Sequence, residues 1–170
     1  MAWDDDDDDF DLNDFEFDPD DEELQKEMEA EEERIDNLPI VKKAEELYHL
    51  VNSLVETIDS SDTNEDVPSE MLEHYKSMMM EDVMIIGAKI QDAEGGDLYT
   101  LRMENAVVIK IHARSLLTHT LGLKMLGYPN HEYLQVLREE LDEFRKLFIE
   151  WIDSFDKAND IEDEWGSLFR

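Results

Sequence analysis

Residues 37–61, NLPIVKKAEELYHLVNSLVETIDSS, decide the fold class of this 170-residue chain. Pro39 stands where a helix begins, because the first helical turn does not need the amide proton that proline lacks. After Pro39, apolar side chains recur at intervals that place them on one side of a helix. They are Ile40, Val41, Ala44, Leu47, Tyr48, Val51, Leu54, Val55 and Ile58. The stretch therefore predicts an amphipathic helix that packs one face against a core.

Two further predicted helices follow, with different surfaces. Residues 68–93 have an apolar stripe that widens into a flank rich in methionine, at 78–80 and Met84. Methionine fills irregular cores and adaptable binding surfaces, so this flank is interpreted as core or interface. Residues 98–126 are apolar in nearly every direction around the helix axis. Because such a helix is buried on most sides, we expect it to be central or to give one face to another chain.

A fourth helix completes the predicted fold. Gly127 ends the third helix, and Pro129 follows where a helix cannot continue. From residue 130 onward, apolar residues alternate by three and four, as in a heptad seam. The seam consists of Leu134, Leu137, Leu141, Phe144, Phe148, Trp151 and Phe155. With two short connections and no strand-like alternation, the pattern predicts an all-α fold, an antiparallel up-down four-helix bundle over residues 37–158.

Acidic segments flank this predicted bundle. The formal net charge is −32, and residues 1–36 hold 20 Asp or Glu against two basic residues. Residues 1–20 mix acids with aromatics, and they are predicted to be a disordered tail because they cannot bury enough apolar surface. Residues 21–36 are predicted to be a charged helix or linker. Residues 159–170 are predicted to be a second acidic, disordered tail.

Composition disfavours several classes of function. Strong negative potential disfavours direct binding to nucleic acid, whose affinity comes from Lys and Arg that neutralise phosphates. No apolar stretch reaches the ~18 residues that a membrane-spanning helix needs. The chain has no cysteine, which removes disulfides and thiolate metal sites, and its first residues do not resemble a signal peptide. We therefore expect a cytoplasmic protein without membrane contact.

Aromatic side chains interrupt the acidic tails. They are Trp3, Phe10, Phe15 and Phe17 at the start of the chain, and Trp165 and Phe169 near its end. Alternation of acidic and apolar residues is typical of interaction segments, in which acids steer the segment to a basic surface and aromatics anchor it. We interpret these six residues as a binding site for a basic protein partner. The alternatives are that the aromatics dock onto the chain's own helices, or that the tails serve solubility alone.

A polar seam crosses the third predicted helix. Asn105, His112 and His119 are seven residues apart and therefore share one narrow side, with Glu104 close by. Buried polar groups without hydrogen bonds cost about 1–3 kcal/mol each, so the seam needs partners. One interpretation is a ligand or metal site. The other is a polar ladder that fixes helix register or forms a homodimer seam, as a buried Asn does in coiled coils.

The second predicted helix carries a carboxylate on its apolar face. Asp82 stands near the middle of that face, where an unpaired carboxylate is very costly. The next helix offers Lys110 and Arg114, either of which could supply the partner of Asp82. A structural ion pair is the simpler interpretation. A general acid or base is the alternative, because perturbed carboxylates concentrate at active sites.

These features predict a non-catalytic adaptor that binds a basic protein partner through acidic, aromatic-bearing tails. We expect no catalytic residue, no cofactor and no metal. Homodimerisation is expected through the third helix or through the methionine-rich flank of the second. Two other functions remain open: an enzyme or a ligand- or metal-binding protein that uses the polar seam, and a mimic of nucleic acid in which carboxylates imitate phosphates.

Overall fold

The structure is a computed structural model that describes residues 22–58, 67–161 and 168–169. The described residues form five helices and no strand, which confirms an all-α fold for them. The helices are α1 Glu22–Asp36, α2 Pro39–Glu56, α3 Ser69–Glu94, α4 Tyr99–Met125 and α5 His131–Asp153. None of these helices is both long and apolar enough to span a bilayer. Residues 1–20, predicted to be a disordered tail, lie outside the described residues, as do most of 159–170.

The chain divides into two units, Met1–Glu33 and Arg34–Arg170. The described residues of the first unit all belong to α1. Glu22 and Glu23 occupy the first turn of this helix, where negative side chains interact favourably with the helix dipole. Lys26 lies 3.9 Å from Glu22 in a surface ion pair one turn apart, a contact that contributes little to stability.

In the second unit, α2 to α5 share one hydrophobic core. α2 packs against α3 and α5, and α4 packs against the same two helices. Leu47, Ile86, Ile109 and Leu137, one from each helix, are fully buried in this core. Burial of such a side chain stabilises the fold by about 1.5–3 kcal/mol relative to exposure. The apolar stripes predicted from the sequence therefore lie on the sides of the four helices that face one another.

The turn after α4 forms as the sequence predicts. Gly127 adopts a φ of 85°, a left-handed conformation that glycine reaches without steric cost. The amide of Gly127 donates to the carbonyl of Lys124 at 3.2 Å, and the amide of Tyr128 donates to that of Leu123 at 3.1 Å. This pair of bonds is a Schellman motif, which satisfies the last carbonyls of a helix. The side chains of Leu123 and Tyr128 are both fully buried, so the turn also belongs to the core.

α4 exposes a large apolar surface on its outer side. Its inner residues Ile109, Leu116 and Leu123 are fully buried. The exposed residues are Val107, Ile111, Leu121 and Met125, with Met125 at 77% exposure. Of the two expectations for this helix, a central position is therefore wrong for the described structure. An apolar face remains that no described residue covers.

Candidate functional site

A buried carboxylate marks the middle of α3. Asp82 is 5% exposed, and the core residues Met79, Val83 and Ile86 surround it along the same helix. These neighbours follow from the helical period, because residues three and four apart share one side of a helix. A carboxylate in such surroundings is strongly destabilised unless polar groups contact it. Its partners therefore show what this part of the protein can do.

Two histidines of α4 contact Asp82. Nδ1 of His112 lies 2.7 Å from Oδ1 of Asp82, and Nε2 of His119 lies 3.1 Å from Oδ2. We call these three residues the Asp82 cluster. The expectation that Lys110 or Arg114 pairs with Asp82 is wrong. Each stands two positions from His112, a rotation of about 200° around a helix with 3.6 residues per turn, so both point toward α5 instead.

His119 has two further neighbours. Its Nε2 atom lies 3.0 Å from Oγ of Ser115, one turn earlier on α4. The ring of Tyr75 packs edge-on against the imidazole, with 5.6 Å between the ring centroids. Oδ2 of Asp82, although close to the same Nε2 atom, accepts no well-directed hydrogen bond from the residues that the structure describes. Oδ1 of Asp82 thus has a hydrogen-bond partner in His112, whereas Oδ2 has no well-directed one among the described residues.

The arrangement lacks the geometry of a hydrolytic triad. In a Ser-His-Asp triad, the hydroxyl and the carboxylate contact opposite nitrogens of the imidazole. Here Ser115 and Asp82 approach the same Nε2 atom of His119. Within the described parts of the chain, no group of three or more His, Cys, Asp or Glu is placed to hold a metal ion. The contacts of Asp82 with His112 and His119 join α3 to α4.

Glu104 and Asn105 lie apart from the Asp82 cluster. Nδ2 of Asn105 donates to the carbonyl of Leu101 in its own helix, at 3.0 Å. Asn105 precedes His112 by seven residues, about 10 Å along the helix axis. No hydrogen bond or ion pair joins either residue to the cluster in the described structure. The structure therefore brings together three of the five residues predicted for the polar seam.

A second buried carboxylate, which the sequence analysis missed, lies at the end of α3. Glu94 is 6% exposed, and it accepts hydrogen bonds from Nε1 of Trp151 at 2.7 Å and from Arg34 at 2.9 Å. Arg102 also donates to Glu94, and its guanidinium lies 4.1 Å above the ring of Phe155. We call these five residues the Glu94 network. It connects the end of α3 with the start of α4 and the end of α5.

The sequence contains a signal for the Glu94 network. Glu94 stands four residues after the buried Ile90 and so continues the inner stripe of α3. Trp151 stands in the heptad seam of α5, and a buried indole N–H usually finds an acceptor. A carboxylate and an indole N–H that both occupy core positions can form a hydrogen bond with each other. Whether they meet depends on which helix ends lie side by side.

Most of the aromatic residues predicted to bind a partner lie outside the described residues. These are Trp3, Phe10, Phe15, Phe17 and Trp165. Phe169 is described, and it is half-buried against the hydrophobic core, whereas Leu168 beside it is 72% exposed. Phe169 therefore contacts the chain's own helices. Partner binding by the six aromatics stays a prediction.

Comparison with family models, with curated proteins and with solved structures finds no match to this chain. The described site chemistry consists of the Asp82 cluster and the Glu94 network, and both connect helices.

Proposed function

We propose that the protein is a non-catalytic helical adaptor that recruits a basic protein partner through its acidic, aromatic-bearing segments. One observation carries the proposal: residues 1–36 hold 20 acidic against two basic residues, with four aromatic side chains among the acids. The buried carboxylates Asp82 and Glu94 are engaged in contacts between helices. The acidic segments, by contrast, have a composition that is typical of segments that bind a partner.

The two residue types act in sequence. Carboxylates attract a basic surface over about one Debye length, ~8 Å at physiological ionic strength, and thereby raise the rate of encounter. Aromatic rings then fill apolar pockets of that surface, and buried rings carry a large share of the binding free energy in protein interfaces. Added salt therefore slows the encounter, whereas loss of the rings weakens the final complex.

We also propose that α2 to α5 form an antiparallel up-down four-helix bundle, which is the rigid part of the adaptor. Supporting this, the four helices share a core, successive helices pack together, and α5 packs on α2. The short connection between α3 and α4 favours antiparallel neighbours. The exposed apolar side of α4 supports a homodimer. The absence of cysteine fits the reducing cytoplasm.

The experiment compares three full-length proteins. The first has the natural sequence, the second replaces Trp3, Phe10, Phe15 and Phe17 by Ala, and the third replaces the aspartates at 4–9 by Asn. We expect the first to capture a basic protein from a lysate, which is then purified and titrated against all three. The ring variant should bind about tenfold more weakly at every salt concentration. The charge variant should bind more weakly at low salt and about equally at high salt.

Equal affinity of the captured protein for all three baits would remove the acidic-aromatic segment as the binding site. A captured protein whose affinity does not depend on salt would exclude the electrostatic part of the proposal. Either result refutes the proposed function.

A second candidate function is ligand or metal binding by the Asp82 cluster, whose side chains would have to rearrange to hold an ion, because as described they do not form a metal-ligating group. The observation that favours it is the convergence of two imidazoles on a buried carboxylate whose Oδ2 atom accepts no well-directed hydrogen bond from the described residues. Elemental analysis of the purified protein tests this function. Stoichiometric zinc, iron, manganese or copper that a His112→Gln variant loses would support it. Metal content far below one atom per chain would leave the cluster as a contact between helices.

A further inference from the structure

A groove separates part of α4 from α5. Its volume is about 590 Å³, and its floor is largely apolar. Ala113 and Leu117 line it on α4, and Phe144 and Phe148 line it on α5. On α5 the lining extends over 135–152, about 25 Å at a rise of 1.5 Å per residue. On α4 the lining extends over 110–117, about 10 Å, so the groove is longer along α5 than along α4.

The groove exists because small and half-buried side chains face each other across it. Ala113 is too short to fill the space toward α5, so Leu117 and Phe148 are only partly buried against the core. Ile149 at the edge of the groove is 43% exposed. An apolar floor rimmed by charged groups can receive the apolar face of an amphipathic helix.

Four cationic and two acidic side chains form the rim of the groove, and Glu139 and Asp142 are the acidic ones. Lys110 and Arg114 project from α4, and Arg138 and Arg145 project from α5. Arg145 pairs with Asp142 at 2.8 Å. Arg138 instead donates to the neutral hydroxyl of Thr120, at 2.9 Å, and to a backbone carbonyl.

Three of these four cations therefore have no carboxylate partner in the described structure. Lys110 and Arg114 form no side-chain hydrogen bond or ion pair with a described residue, and Arg138 contacts only neutral oxygens. The chain as a whole has 47 acidic and 15 basic residues, so carboxylates are abundant. Because four cations outnumber two carboxylates, the lining of the groove has a net positive charge, opposite to that of the molecule.

We infer that this groove binds an amphipathic α-helix of a partner protein, with acidic residues on both sides of its apolar stripe. The apolar stripe would cover Leu117, Phe148 and Ile149, and the flanking carboxylates would pair with Lys110 and Arg114. This is the helix-in-groove mode of recognition, in which residues at i, i+3, i+4 and i+7 anchor the helix. The inference does not involve the acidic tails, so it stands apart from the proposed function. It gives the adaptor a second binding surface.

Charge complementarity selects this occupant over others. The rim would repel a basic helix, and a neutral helix would leave its cations unpaired. A compact small molecule would occupy only part of the length of the groove. A second copy of the chain offers α1 as its acidic helix, but over residues 22–33 its one large exposed apolar side chain is Met28. That segment lacks the apolar stripe that the floor requires.

The test uses the full-length protein and two designed peptides of equal length and equal apolar stripe. One peptide carries Glu beside the stripe and the other carries Gln, and fluorescence anisotropy measures both affinities. We expect the Glu peptide to bind about tenfold more tightly. This preference opposes the general repulsion between an acidic peptide and a protein of net charge −32, so it localises binding to the cationic rim.

Matched variants locate the site. Lys110→Gln with Arg114→Gln should weaken binding of the Glu peptide about tenfold, and Lys124→Gln, on the same helix outside the groove, should change it less than about twofold. Ile149→Glu should block the groove. Ile111→Glu, on the exposed outer side of α4, should leave binding unchanged. All five substituted positions are exposed, so the variants are expected to fold.

Three results would overturn the inference. The first is equal or tighter binding of the Gln peptide. The second is equal weakening by Ile149→Glu and Ile111→Glu. The third is a dimer in sedimentation experiments that Ile149→Glu dissociates and Ile111→Glu does not, because the occupant would then be a second copy of the chain.

Discussion

Asp82 and Glu94 are the two carboxylates that the described core buries, at 5% and 6% exposure. Each is contacted by groups from other helices: imidazoles for Asp82, and guanidinium and indole groups for Glu94. Buried ion pairs often add little stability relative to apolar residues of similar volume, whereas removal of one partner is costly. We therefore expect these contacts to disfavour other pairings of the helix sides more than they add to the free energy of unfolding.

Replacement of Asp82 tests this view of the cluster. Asp82→Ala leaves the imidazole of His112 without its acceptor and removes the carboxylate beside His119, so we expect the free energy of unfolding to fall by about 2–4 kcal/mol. Urea unfolding followed by circular dichroism at neutral pH measures the change. The control is Asp92→Ala, which removes an exposed ion pair with Lys89 and should cost less than about 0.5 kcal/mol. Similar losses in both variants would show that the cluster contributes no more than a surface pair.

Glycines at two helix positions should respond to alanine with opposite signs. At Gly122, a Cβ atom would lie 2.3 Å from the hydroxyl oxygen of Tyr75, so the ring must leave its place against His119. We expect Gly122→Ala to destabilise the protein by about 1–2 kcal/mol, since overpacking outweighs the gain in helix propensity. At Gly87 nothing lies within 4 Å of such an atom, and Ala should stabilise by about 0.5–1 kcal/mol. A shift of the same sign in both urea midpoints would contradict the packing argument.

Between elements, an ion pair connects α2 with α5. The side chain of Lys43 is 14% exposed, lies 2.9 Å from Glu46 of its own helix and also contacts Glu140 of α5. Burial acts to lower the pKa of Lys43, but hydrogen bonds to Glu140 and Glu46 together raise it above the ordinary value of 10.5. The charged form of Lys43 is therefore favoured by folding. Because Glu140 comes from the neighbouring helix, this contact helps to hold α2 and α5 together.

Because the pKa of Lys43 is raised, part of the protein's stability is lost at alkaline pH. A group whose pKa is higher in the folded state contributes stability that is fully present below its unfolded pKa and is lost as the pH rises through the folded value. We expect Lys43→Met to lose less stability than the natural protein as the pH is raised beyond 10.5, measured by urea midpoints. The control is Lys42→Met, because Lys42 is exposed and bonds to Asn37. Identical pH profiles for both variants would argue against a role of Lys43.

For the whole molecule, charge is the dominant property. The chain carries a net charge of −32, and self-repulsion of this kind destabilises a folded state. Much of the charge lies in residues 1–36, with 20 acids, whereas the helices of the second unit contain the hydrophobic core. The hydrophobic core and much of the negative charge therefore lie in different parts of the sequence.

Added salt should stabilise the protein. Because screening shortens the range of repulsion, we expect an increase from low to moderate sodium chloride to raise stability by about 1 kcal/mol, or ~2–4 °C in Tm. Thermal unfolding followed by circular dichroism measures this. Potassium chloride at equal ionic strength should act equally, since the effect depends on screening. A Tm that stays constant or falls with salt would show that self-repulsion does not limit stability.

The sequence by itself determined the helices of this protein, because helical periodicity and turn chemistry act within one segment of chain. The apolar stripe that follows Pro39 and the turn at Gly127 are both found where the sequence predicts them. It also identified Asp82 as a buried carboxylate that needs a partner, since its neighbours along the helix are apolar.

Only the tertiary structure decided which groups from different helices meet. Asp82 contacts His112 and not Lys110, because the rotation of α4 about its axis turns the imidazole toward α3 and the ammonium toward the groove. Glu94 reaches Trp151 because the end of α3 lies beside the end of α5. Axial rotation and relative placement of helices result from packing of the whole core, and no single segment encodes them.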